Sequence, residues 1–147
     1  MSLEQIHAAI PHRRPMLLVD EIVLQTEDRI VCRKTFQADE FFFQGHYPGF
    51  PLVPGVILCE ATMQAGAILL SLLIQSCQGV PVATRMNDVK FKRMVRPGET
   101  IDIEVKLTER LGDAYFLTGK TTCDGKVAVR FDFACALAAT TAAPPQS

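Results

Sequence analysis

Several features that would each assign a chain to a broad class are missing from this sequence. No charge of one sign is in excess: fifteen Lys and Arg stand against sixteen Asp and Glu, a net charge of −1. Global electrostatics therefore gives no reason to expect nucleic acid or a membrane surface as partner. Long apolar runs are absent too. The longest, Ala65 to Ile74, is bounded by Gln64 and Gln75 and falls short of the roughly eighteen residues a membrane span needs. The N-terminus places Glu4 and His7 where a secretory signal would be basic and then apolar, so a soluble, cytoplasmic protein is expected. Cys32, Cys59, Cys77, Cys123 and Cys135 are odd in number and never spaced C-x-x-C, which argues against a disulfide framework or a structural zinc site. Histidine is scarce: His7, His12 and His46 are the only imidazoles.

The chain does hold enough apolar residues, 48% of 147, for one ordinary core, and it is too short to predict two domains. Met16 to Leu24 and Ile30 to Phe36 read as two strands joined by a turn at Glu27-Asp28. Ile101, Ile103, Val105 and Leu107 alternate with Asp102, Glu104, Lys106 and Thr108, the pattern of a strand with one wet face. Tyr115 to Thr122 is the next strand. Asp124-Gly125 then makes a two-residue turn into the period-two run Val127 to Leu137. A further strand is predicted from about Val89 to Val95, closed by Arg96-Pro97-Gly98, and the tail Ala138 to Ser147 reads as frayed.

One segment has a different period. Val56 to Gln78 contains no proline, is rich in helix formers and stops at Gly79. Its 23 positions would span roughly 34 Å, against a domain radius of about 15 Å, so the helix must cross the middle of the molecule. Strands around one long apolar helix predict an α+β domain over 1–138, its antiparallel sheet curled around the helix, with a flexible tail over 139–147. On that helix Glu60, Gln64, Ser71 and Gln75 fall in one polar stripe with Ala67, facing either water, a subunit partner or a pocket.

Immediately before the helix, Gly45 to Gly55 packs three prolines and three glycines into eleven residues, a rigid but irregular segment. It leads into a helix N-terminus, where backbone N–H groups are unpaired and partly positive. Phe41-Phe42-Phe43 would anchor the loop and leave His46 projecting from a fixed support. A lone loop histidine often only caps or packs. A carboxylate at Glu60 on a mostly apolar helix, however, must be paired, for instance with Arg13 or Arg14, or be used. A carboxyl that donates a proton and a neutral imidazole that removes one make an elimination pair.

The block Gly45 to Ala61, GHYPGFPLVPGVILCEA, resembles the active-site stretch of bacterial β-hydroxyacyl-acyl-carrier-protein dehydratases of the FabZ type. Ile10 to Asp20 (IPHRRPMLLVD), Lys90-Phe91-Lys92-Arg93 and Arg96-Pro97-Gly98-Glu99 resemble that family's other blocks, in its order, so the likeness spans roughly residues 3 to 137. It implies the hotdog fold and a dimer, with a trimer of dimers as a further step. The site is then shared: His46 of one protomer serves as base and Glu60 of its partner as acid. The substrate is a 3-hydroxyacyl thioester on the phosphopantetheine arm of acyl carrier protein, the product the trans-2-enoyl thioester, the setting fatty acid biosynthesis, and no metal or cofactor takes part. Gly55 would polarise the thioester carbonyl and Gln64 would hold the departing water. Glutamate at position 60 resembles the branch that dehydrates without isomerising. Arg14, Met94 and Tyr47 depart from the family pattern at the pocket mouth.

Between Arg85 and Arg96, five basic residues face one acidic residue, a local excess of +4. Lys90, Lys92, Arg93 and Arg96 are therefore docking candidates for an acidic carrier, or else simply keep a strand edge soluble. Two other activities fit the same scaffold: a hotdog thioesterase that hydrolyses the thioester, and a non-catalytic domain that binds acyl chains.

Overall fold

The computed structural model describes residues 3–74 and 79–139. A short helix, α1 (Leu3–Ala9), precedes strands β1 (Glu21–Gln25) and β2 (Arg29–Thr35); a 3₁₀ turn (Phe41–Phe43) and the Pro/Gly loop lead to helix α2 (Gly55–Leu73). Strands β3 (Gly79–Phe91), β4 (Thr100–Leu111), β5 (Ala114–Cys123) and β6 (Lys126–Ala139) complete the described residues. The six strands form one sheet in the order β1-β2-β4-β5-β6-β3, each neighbouring pair antiparallel. α2 packs against β2 through β6, so the sheet wraps the helix, and this is the predicted α+β hotdog arrangement.

Alternation places the core. β2 buries Ile30 and Cys32, β4 buries Ile101, Ile103 and Val105, β5 buries Tyr115 and Leu117, and β6 buries Val129, Phe131 and Phe133. They share one core cluster with the helix residues Leu58, Ala61, Ala65, Ile68 and Leu69. The β5–β6 turn is the expected one: Asp124 and Gly125 both have positive φ, 55° and 78°, as a two-residue type I′ turn requires. Helix and sheet approach closely where side chains are missing. A Cβ on Gly66 would come 2.7 Å from the Phe133 ring, and one on Gly119 would collide with the Thr62 methyl group.

Three boundaries differ from the sequence reading. The strand expected from Met16 starts only at Glu21, because upstream backbone groups are bonded elsewhere: Arg13 C=O takes the N–H groups of Met16 and Leu17, and Leu18 N–H donates to the Gln64 side chain. The helix ends at Leu73 and not at 78. Ile74 leaves helical geometry (φ −108°, ψ 49°) while its N–H still donates to Leu70 C=O, and residues 75–78 lie outside the described residues. The strand expected over 89–95 instead runs Gly79–Phe91, and Val95 C=O accepts the Val53 N–H at 2.7 Å. As the sheet edge, with most side chains exposed, Pro81 inside it and two register shifts against β6, β3 carries no period-two signal. Helix α1, with only Ile6 buried, was not anticipated. Of the tail, residues 138 and 139 belong to β6, and 140–147 lie outside the described residues.

Candidate active site

The polar stripe of α2 lines a cavity of about 410 Å³, closed on its other sides by Ala9 to His12, the start of β3 and Cys135 of β6. Glu60, Gln64, Ala67 and Ser71 all reach it, so within one chain the stripe faces a pocket. Gln75 lies outside the described residues. Ile74, Val80 and Val82 give the far wall an apolar surface suited to an acyl chain.

Gln64 is buried, and its amide links the helix to the N-terminal segment. Oε1 accepts the Leu18 N–H (2.8 Å), while Nε2 donates both to Met16 C=O (2.8 Å) and to Glu60 Oε2 (2.9 Å). Both amide protons are therefore used, and one of them holds the carboxyl in place. The ion pair considered between Glu60 and Arg13 or Arg14 does not form: the Arg13 guanidinium donates to the carbonyls of His7, Ile10 and His12. The imidazole of His12 stands there instead, its Nε2 3.7 Å from Glu60 Oε2. Nothing in the sequence marks His12 for this role, because a single histidine in a proline-flanked turn has no spacing signal.

His46 sits in the rigid loop between two residues with positive φ, Gly45 (78°) and Tyr47 (50°). The loop is anchored by two of the three phenylalanines: Phe42 and Phe43 are buried, Phe41 is exposed, and the His46 N–H donates to Phe43 C=O. The Nδ1 atom of His46 lies 3.2 Å from Leu52 C=O. A carbonyl can only accept, so Nδ1 carries the proton and the neutral ring presents a basic lone pair at Nε2. His46 does not line the cavity that holds Glu60 of its own chain.

Gly55 is the first residue of α2, beside Pro54, whose carbonyl takes the N–H groups of Ile57 and Leu58. A Cβ at Gly55 would come 2.7 Å from the exposed Phe91 ring, so the ring lies against the helix start where a larger residue would push it aside. Among the docking candidates, Lys90, Lys92 and Arg96 are exposed, and the Arg96 guanidinium lies 5.2 Å from the Phe50 ring centroid. Arg93 is held differently: it is partly buried, and its Nη2 donates to Glu99 at 3.1 Å. Among the described residues, no three His, Cys, Asp or Glu gather as a metal site would require, and no helix is long and apolar enough to cross a membrane.

Residues 23–130 match the family model of the ApeI-like dehydratases. The chain belongs to this dehydratase family. It is 41% identical over 136 residues to the 3-hydroxyacyl-[acyl-carrier-protein] dehydratase FabZ of Oenococcus oeni (strain ATCC BAA-331 / PSU-1), covering 90% of this chain and 96% of that one. The FabZ of Clostridium perfringens (strain SM101 / Type A) is 39% identical over 128 residues, 87% of this chain and 92% of that one. Among solved structures, the dehydratase heterocomplex ApeI:P from Xenorhabdus doucetiae superposes with a TM-score of 0.77 at 17% identity, covering 92% of each chain. A hypothetical thioesterase with coenzyme A from Streptococcus pneumoniae TIGR4 reaches 0.65 at 10% identity, over 94% of this chain and 98% of that one. At such identities the structural likeness shows the fold, and the dehydratase family shares that fold with the thioesterase-type protein.

Proposed function

We propose that the protein is a hydro-lyase of fatty acid biosynthesis, converting 3-hydroxyacyl-[acyl-carrier-protein] to the trans-2-enoyl thioester in the cytoplasm. His46 Nε2 takes a proton from C2, and the C2–H electron pair becomes the C2=C3 bond. Glu60 delivers its proton to the C3 hydroxyl, which leaves as water with the C–O electron pair. The Gly55 N–H, at the positive end of α2, stabilises charge developing on the thioester oxygen. Gln64 fixes Glu60 through its amide and faces the departing water. The acidic carrier docks on Lys90, Lys92 and Arg96, with Arg93 bracing the strip from within.

The observation that carries this reading is the separation of the pair within one chain: Glu60 lines the cavity and His46 does not. On this reading a second chain brings its own His46 to the cavity, giving a dimer with two shared sites. Incubation with carrier-bound 3-hydroxyacyl thioester, following enoyl product and free thiol together, tests the activity. Enoyl product is expected, and free thiol alone would overturn the dehydratase reading in favour of a thioesterase. Retained substrate would favour the acyl-binding domain. His46→Ala and Glu60→Gln should each lower kcat by roughly 10²- to 10⁴-fold. Mixing the two variants should restore part of the activity through heterodimers that hold one intact pair. No recovery, despite subunit exchange seen by native mass spectrometry, would place both residues in one chain.

A further inference from the structure

The proposed mechanism leaves one histidine beside the reacting carboxyl without a task. His12 and Glu60 are both about 30% exposed at the side chain and line the same cavity. The His12 Nδ1 atom is buried with no hydrogen-bond partner among the described residues. A buried N–H without an acceptor is costlier than a bare lone pair, so the proton of the neutral ring belongs on Nε2. That nitrogen is the one 3.7 Å from Glu60 Oε2, the oxygen that already accepts the Gln64 N–H at 2.9 Å. The distance exceeds a formed hydrogen bond, and such contacts commonly tighten once substrate is bound.

We infer that His12 is a positioning residue for Glu60, holding Oε2 together with Gln64 so that the acid proton is confined to Oε1. Two N–H groups aimed at one oxygen make it an acceptor in both states of the carboxyl. The proton to be delivered then resides on Oε1, which the structure leaves without a donor among the described residues. When the Oε1–H bond breaks and water departs, the carboxylate left behind is held by the Gln64 N–H already in place and by the His12 N–H as that contact tightens. These donors stabilise the charged state formed during reaction more than the starting acid, which is the condition for raising kcat without tighter substrate binding. The third ionisable group of the cavity, Cys135, is held neutral at physiological pH, because burial pushes its thiol up to about 11.

This inference rests on the dehydratase reading, so the wild-type protein is assayed alongside. A wild type that forms no enoyl product sinks that reading and this inference together; an active wild type isolates the inference. With His12→Phe, which keeps the ring and removes the N–H, kcat should fall roughly 10- to 100-fold while KM stays within about twofold. His12→Gln, whose amide reaches the Nε2 position, should recover most of the rate. His12→Asn, whose amide reaches only the Nδ1 position, should not. In the Glu60→Gln background, His12→Phe should lower the residual rate by less than about threefold. A His12→Phe enzyme within twofold of wild-type kcat would overturn the inference. So would an equal loss in the Glu60→Gln background, a change confined to KM, or equal rates for the Gln and Asn variants. Should the Phe variant fail to melt cooperatively, the comparison of Gln with Asn decides alone.

Discussion

Gln64 couples the N-terminal segment to the chemistry through a single side chain. Replacing it with Leu keeps the apolar volume but strands the Leu18 N–H and the Met16 C=O that its amide satisfies. The Leu18 N–H is buried, and such an orphan costs about 1–3 kcal/mol, whereas the part-buried Met16 C=O can turn to water; Gln64→Leu should therefore lose about 1–3 kcal/mol in a urea titration, and kcat should fall as Glu60 is freed. The cysteines tell a different story at the same scale. Cys59 adjoins Glu60 and Cys135 lines the cavity, yet burial pushes both thiols up to about 11 and that of Cys32 to about 12. At pH 7.5 they are thiols and not thiolates. Iodoacetamide should therefore label them slowly in the native protein and quickly in urea, read by intact mass, and the native enzyme should keep its activity during the slow phase.

α2 is held close to the sheet by two glycines, one on each surface. Helix propensity alone favours Gly66→Ala by about 1 kcal/mol, since glycine is the poorer helix former. The Cβ would meet the buried Phe133 ring at 2.7 Å, and overpacking of this kind costs about 1–3 kcal/mol. The net change in a denaturant midpoint should be destabilising; an unchanged or raised midpoint would mean that the Phe133 ring moves aside at little cost. The Thr62 and Thr121 hydroxyls, 2.7 Å apart and both buried, close the same interface with a hydrogen bond, and Thr62 also donates to Leu58 C=O. The edge strand β3 is the opposite case. Its outward side chains, including Val82, Met86 and Phe91, are exposed in the single chain, and it frames both the cavity and the start of α2.

Across the molecule, two carboxylates tie stability to acid. The Arg96 backbone N–H, helped by the Arg93 guanidinium, holds Glu99 below the usual carboxylate range. Burial acts to raise Glu104, but the Arg29 guanidinium together with Lys106 and Lys120 outweighs it and the net direction is downward. In the unfolded chain both would titrate near about 4.3, so their contribution is complete above that pH and is lost as pH falls through the lower folded values. Thermal midpoints should therefore hold from pH 7 to about 5 and drop below about pH 4, less steeply in a Glu104→Gln protein. The near-neutral chain also concentrates positive charge where a carrier would meet it. Reversing Lys90, Lys92 and Arg96 to Glu should raise KM for carrier-bound substrate and leave KM for a pantetheine thioester unchanged. Equal effects on both substrates would refute docking at this strip.

The period-two runs of β4, β5 and β6, the Asp124-Gly125 turn, and the stripe of Glu60, Gln64 and Ser71 were all legible in the sequence, because side-chain periodicity and turn chemistry are local. The rigidity of the Gly45–Gly55 loop was legible for a related reason, since its prolines and glycines constrain their own backbone, whereas its candidate role in the site came from the family resemblance of the whole block. What remained unreadable depended on partners distant in sequence. β1 starts at Glu21 because Gln64, forty-six residues from Leu18, takes that residue's N–H. β3 is an edge strand whose exposed faces leave no alternation, so only its pairing with β6 reveals its length. His12 comes to Glu60 only because the segment after α1 lines the same cavity as α2, to which Gln64 ties it at Met16 and Leu18. Sequence by itself determined which residue types and periods were available. Tertiary structure decided which polar groups meet, because a hydrogen bond between remote residues depends on where the whole chain carries them and not on the pattern around either one.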